Sequence, residues 1–417
     1  MSTPSISTPH LVRLASVLAG IAILVAPFRA SAGVRGGGLV LAGVVILFAY
    51  GRAGQWRQLL PPHKFLVIAA GVWLLTASLW SFVSPSPMES LSVVKRDILT
   101  PMLAFMVFFA LTRTRADMMR WLCVLIAGLV ALTIMIVRDP FDPLATLQQS
   151  DYLTVGLLTT WLVTLAPLLA VLLFASHPWR RRANLLLAIA LPCLLISAWL
   201  SGNRTVWVCF AGMVLVAMAL AARGRRTAPM QRRSLVIVLA LLALLVSLLF
   251  AAMQFRAHSQ APNGTGPLDF ILQDNRAPIV RAAIEMISER PWRGYGYANA
   301  DIGDALAARF DTPWLKNYVH QAHNVVLNHA LQMGLTGAVV IVVLFAALTW
   351  AFVTRVPLGG LARLAGLCGA ALVAGVFLRN MTDDFFSRHT VQFFGVAAGM
   401  LLGLATHRPP LKSSSAV

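Results

Sequence analysis

Apolar runs of about 17–24 residues recur along almost the whole of this 417-residue chain, the length a helix needs to cross the hydrocarbon core of a bilayer. Inside lipid every backbone N–H and C=O must be satisfied within its own segment, so runs of this length imply an all-α integral membrane protein. The expected spans are 11–27, 37–50, 65–83, 98–111, 118–137, 153–175, 184–200, 205–222, 234–253, 324–353, 360–378 and 389–406, twelve in all. Only 12% of residues are charged, about half the share of a soluble domain. The first run ends in Pro27-Phe28-Arg29 without a small-residue cleavage pattern and is expected to stay as a helix. The four cysteines, Cys123, Cys193, Cys209 and Cys368, all fall inside these spans and read as small buried hydrophobes.

Charge orients the bundle. With a cytoplasmic start, more than half of the 34 basic residues, among them Arg180, Arg181, Arg182, Arg225, Arg226 and Arg355, lie in or beside short segments on one side. Asp117 is the only acid on that side. Short basic loops mark the cytoplasm. The net charge of +19 is therefore a topology signal and an attraction to anionic lipid, and its division among short loops argues against a nucleic-acid partner.

The organisation that follows is one membrane domain: spans one to nine over 1–253, a long periplasmic loop over 254–322, and the last three spans with a cytoplasmic tail over 323–417. Polar and ionisable residues gather in the loop. Within it Asp274-Asn275 reads as a helix cap, Pro278 suits a first turn, and Pro291 stops the helix. Ile279, Ala283 and Met286, with Val280, Ile284 and Ile287, give that helix an apolar face, and Arg281 and Glu285 are spaced to pair across the other. Gly294-Tyr295-Gly296 then supplies a turn.

Several features are candidates for chemistry. Arg276 falls in the first turn of the loop helix, where free N–H groups and the dipole favour an anion and a guanidinium adds donors suited to phosphate. Its alternative is a surface arginine pairing with Asp274 or lipid headgroups. Arg204, in the outside turn Ser201-Gly202-Asn203-Arg204-Thr205, either snorkels to headgroups or lines a polar cavity. His323 opens the tenth span, where the helix dipole disfavours imidazolium and a neutral ring can accept a proton; the plain alternative is that it caps the helix. His320 lies three residues earlier, but no H-E-x-x-H arrangement follows and no metal is expected there. Asp139-x-x-Asp142 and Asp383-Asp384 are spaced for a divalent cation, yet the first outside loop lacks an acid. The last of these, 379–388, reads as an outside loop linking the final two spans, and Gly334-x-x-Gly337 as small residues permitting close helix packing.

Taken together, the H-N-x9-G-x-x-G pattern from His323 to Gly337, the arginine turn at Arg204, and a loop helix opening at Arg276 and closing in Pro291-Trp292-Arg293-Gly294-Tyr295-Gly296 resemble the O-antigen ligases. That family shares its fold with O-antigen polymerases and bacterial O-oligosaccharyltransferases. The resemblance implies a periplasmic-face glycosyl transfer in the bacterial inner membrane. The donor would be a polysaccharide on undecaprenyl diphosphate and the acceptor a hydroxyl of lipid A-core. It assigns His323 as catalytic base and Arg204 and Arg276 to the diphosphate, with Asn324, Arg293 and His320 in support and neither metal nor cofactor. A transporter for a lipid-linked sugar would instead place ionisable groups inside spans, and a membrane scaffold would explain neither arginine.

Overall fold

The computed structural model describes residues 8–28, 31–137, 151–173, 179–223, 276–311, 316, 319 and 321–406, and every regular element among them is helical. In order these are α1 (Thr8–Leu24), α2 (Ala32–Arg52), α3 (Lys64–Ser81) and α4 (Pro87–Val94), which runs through a π-helical turn (Lys95–Leu99) into α5 (Thr100–Leu111). Then come α6 (Arg115–Val137), α7 (Asp151–Leu173), α8 (Arg180–Leu200), α9 (Arg204–Arg223), α10 (Arg276–Glu289), α11 (Asp301–Ala307), α12 (Val325–Val353), α13 (Gly360–Thr382) and α14 (Arg388–Thr406).

Among the described residues nine helices are long and apolar enough to cross a membrane: α2, α3, α6 to α9 and α12 to α14. Of the other expected spans, 11–27 is the shorter α1 and 98–111 is the 12-residue α5, which gains length only by continuing from α4. The expected span 234–253 lies outside the described residues, as do Asp139, Asp142, Asp274, Asn275 and His320. One expectation needs correcting at 379–388. Helix α13 continues to Thr382, so Arg379 belongs to its last turn and is fully buried rather than standing in an outside loop.

The interior is organised around α14, which packs on α5, α13 and α7. Gly395, Gly399 and Gly403 recur every fourth residue and lie along one stripe. A Cβ at these positions would come within 2.4, 2.4 and 2.7 Å of the carbonyl oxygens of Pro101, Phe105 and Phe109. The two backbones are therefore in near contact, the arrangement small residues allow where no water drives association. This stripe is a close helix–helix seam, and Gly337 of Gly334-x-x-Gly337 also admits close backbone packing, since a Cβ there would meet the His329 carbonyl oxygen within α12. Elsewhere α3 and α13 flank α12, α9 lies on α13, and α6 lies on α8. Cys209 and Cys368 are buried as expected, but Cys123 is exposed on the outward side of α6.

The loop helix α10 forms as the sequence suggests, and buries Ile279, Ala282, Ala283 and Met286 against Val319, Ala322 and Leu331. Ile284, expected on that face, is 53% exposed, because the buried stripe follows the 3–4 spacing from Ile279. Among the described residues the ion pair on this helix joins Glu289 to Arg309 at 2.5 Å, not Arg281 to Glu285.

Candidate active site

The site starts from how α12 begins. Asn324 adopts an extended conformation (φ −152°, ψ 123°) and its Oδ1 accepts from the backbone N–H of Val326 (3.0 Å) and Leu327 (3.1 Å), so Asn324 is the cap. Its Nδ2 donates to the Met381 carbonyl at 3.1 Å, which fastens the start of α12 to the end of α13. With capping done by Asn324, His323 is left for another task. It sits at φ 51°, a left-handed conformation rare outside glycine, and its ring is 4% exposed.

That ring faces Asp383. His323 Nδ1 and Asp383 Oδ1 are 2.8 Å apart. A carboxylate only accepts, so Nδ1 carries the hydrogen and Nε2 is the basic nitrogen of the neutral ring. Gln321 Nε2 also donates to Asp383 Oδ1, at 3.4 Å. Asp384 takes a different partner: Asn328 Nδ2 donates to its Oδ2 at 2.6 Å and the Phe386 N–H to its Oδ1 at 2.9 Å. Asn328 Oδ1 in turn accepts from the Ala322 N–H at 2.8 Å. The two adjacent carboxylates, spaced in sequence as a cation pair, thus diverge; Asp383 is in extended backbone, where successive side chains point to opposite sides. Burial pushes the Asp384 carboxyl up from its ordinary range, opposed by His329 and the Asn328 amide. The Tyr297 hydroxyl is also pushed up, by burial and by the charges of Asp97 and Asp384.

Behind Asp383 stands Arg379. It is fully buried, its Nη1 donates to the Asp383 carbonyl at 3.2 Å, and its Nη2 lies 3.6 Å from Asp383 Oδ2. Its Nε donates to Thr159 Oγ1 at 3.3 Å, and the Phe385 ring covers its guanidinium at 5.0 Å. Gly156 makes room for that ring, since a Cβ there would fall 1.9 Å from it. Thr159 Oγ1 also accepts from Asn203 Nδ2 at 3.4 Å, and Asn203 Oδ1 caps α9 through the Thr205 N–H at 3.0 Å. Arg204, the first residue of α9, is therefore one residue from a contact chain that runs through Thr159, Arg379 and Asp383 to His323.

Arg276 opens α10, whose buried face rests on Ala322 and Leu331, the chain entering and following His323. Arg204 and Arg276 are both half-exposed. Arg293 is exposed, with its carbonyl held at 2.8 Å by Trp80 Nε1, so its backbone docks while its side chain stays outside the buried cluster.

The glycines of the motif have a definite task. Gly334 interrupts α12 at φ 67°, ψ −166°, and the segment 291–296 crosses the break. The Leu335 N–H, which in a continuous helix would bond the Leu331 carbonyl, donates to Pro291 O at 2.7 Å. Leu331 O accepts instead from Tyr295 N (2.8 Å), and Gln332 O from Gly296 N (3.0 Å). A Cβ on Gly334 would come within 2.6 Å of Pro291 O, and one on Gly294 within 2.6 Å of Gly334 N. Two motifs about forty residues apart in the chain thus form one crossing, with polar groups freed by the break satisfied by the loop.

Sequence reading singled out His323, Arg204 and Arg276 but missed Asp383 as the partner of His323, and missed Arg379 and Thr159 altogether. The signal present was an arginine and an aspartate four apart at the end of an otherwise uncharged run, the spacing of neighbours on one helix face. No curated protein matches the chain. A family model described as O-antigen ligase matches residues 189–342. The matched stretch holds Arg204, Arg276, His323 and Gly334, and stops short of Arg379 and Asp383. The chain carries many helices long and apolar enough to cross a membrane, and over residues 189–342 it is similar to the O-antigen ligase family.

Proposed function

We propose that this protein is an inverting, metal-independent glycosyltransferase that moves O-antigen polysaccharide from undecaprenyl diphosphate to a hydroxyl of lipid A-core, on the periplasmic face of the inner membrane with both termini cytoplasmic. The observation that carries this reading is the buried pairing of His323 Nδ1 with Asp383, which leaves Nε2 as the basic atom. In the proposed step His323 Nε2 takes the proton of the acceptor hydroxyl as its oxygen attacks the anomeric carbon. The new glycosidic C–O bond forms as the bond to the diphosphate breaks, and undecaprenyl diphosphate leaves with the electron pair. Arg204 and Arg276 offset the charge developing on that leaving group. Asp383 fixes the ring tautomer and compensates the charge on the ring after proton transfer. Both substrates are lipid-anchored, so catalysis within the bilayer plane gains proximity. The loop over 254–322 is proposed to be the periplasmic cover of this site.

The test is reconstitution of the full chain in proteoliposomes with the undecaprenyl-diphosphate glycan and, separately, lipid A-core, a serine-containing peptide, or a second donor molecule. Transfer to lipid A-core alone is expected. Transfer only to peptide, or only to a second donor, would reassign the acceptor to that of an oligosaccharyltransferase or a polymerase. His323→Ala should lower kcat by about 10²–10⁴-fold with normal protein levels, the span of a general base. Ligation should survive exhaustive chelation, and loss reversed only by a divalent ion would end the metal-free reading.

A further inference from the structure

We infer that Arg379 is a positioning residue for this site, holding the Asp383 carboxylate in the one orientation that serves His323 and tying it through Thr159 to the turn that carries Arg204. The inference rests on the function proposed above and extends it to residues beyond the segment shared with the family model. A fully buried guanidinium inside a membrane helix is costly unless its donors are engaged, and such residues mark functional sites. The fork of Arg379 is spent on one loop residue and one helix. Nη1 takes the backbone of Asp383, Nη2 donates to the Gly156 carbonyl at 3.5 Å and lies 3.6 Å from Oδ2, and Nε reaches Thr159. With Oδ2 facing Arg379, Oδ1 is the oxygen offered to His323.

Thr159 is suited to be the junction because its bonding capacity is filled. A hydroxyl has one hydrogen and two lone pairs. The hydrogen serves the backbone carbonyls of Val155 (3.0 Å) or Gly156 (3.1 Å), while the lone pairs receive Arg379 and Asn203. A displacement of the Arg204 turn is thereby transmitted to Asp383 through three hydrogen bonds, Asn203 to Thr159, Arg379 to Thr159 and Arg379 to Asp383. Lysine would restore charge beside Asp383 but lacks the planar fork that reaches the Asp383, Thr159 and Gly156 acceptors together.

The experiment uses the full chain in proteoliposomes with Arg379→Gln, Arg379→Lys, Thr159→Val and Asp383→Asn, singly and combined. Arg379→Gln is expected to lower kcat by about 10²-fold, the cost of misplacing a catalytic group, while donor KM changes little. On the Asp383→Asn background it should add no further loss, and Arg379→Lys should recover part of the rate. Equal losses with and without Asp383 would show mere structural support and overturn the inference, as would full activity. If Arg379→Gln does not accumulate, Thr159→Val decides: a lowered kcat with unchanged KM supports the inference, and a wild-type rate sinks it. An activity-independent readout separates this from failure of the proposed reaction. The Nδ1–H resonance of His323, identified in ¹⁵N-histidine-labelled protein by its absence from His323→Asn, should move in Arg379→Gln or Thr159→Val. Movement without any ligation activity would uphold the positioning role and reject the reaction; an unmoved resonance would reject the role.

Discussion

His323 carries backbone strain, and neighbouring residues hold it there. A non-glycine residue in left-handed conformation costs of order 1–3 kcal/mol and persists only when its surroundings enforce it. Here Asn324 pins the following turn to Met381, and Asn328 pins the preceding Ala322 N–H. Asn324→Ala should therefore cost about 1 kcal/mol as a lost cap and lower ligation further by loosening His323. Asn324→Asp keeps the acceptor for Val326 and Leu327 but loses the donor to Met381, so a detergent thermal melt should fall between wild type and alanine. At the end of α10, the Glu289 carboxyl is held below its ordinary range by hydrogen bonds from Arg309 and Tyr295. A depressed folded value means its contribution is present at neutral pH and lost as pH falls through that value. Glu289→Gln should flatten that part of the acid limb of the melting temperature measured against pH.

At the scale of elements, the crossing of 291–296 over the break in α12 joins the loop helix to the bundle. Gly334→Ala would be strained at φ 67° and would drive a methyl into Pro291 O, so α10 should undock and the folded yield should collapse. Gly71, in α3 with nothing within 4 Å of an added Cβ, is the control. Gly71→Ala should leave the melt unchanged or raise stability by up to about 1 kcal/mol. Comparable losses at both positions would remove the special role given to the crossing. The sequence showed the two glycine motifs, and read one as a turn and the other as a packing surface. Their union was not legible, because a break repaired by a distant segment leaves no local periodicity.

For the whole molecule, the seam of α14 on α5 is the tightest test of the architecture. Gly399→Ala would force the backbones apart at Phe105 and should cost about 1–3 kcal/mol, measured by thermal unfolding in detergent. Its four-residue glycine spacing was present in the sequence, as was the run lengths' demand for helices. Because hydrogen bonds in lipid must close within each segment, apolar length alone determined that this chain is a bundle, and a histidine beside an asparagine at a helix start marked the site proposed above. Tertiary structure alone decided which residue caps and which faces the site, and that Asp383, Arg379 and Thr159 stand behind His323. Those partners come from α7, α13 and the loop after it, so pairings among them depend on how helices pack in space, which one-dimensional spacing does not encode.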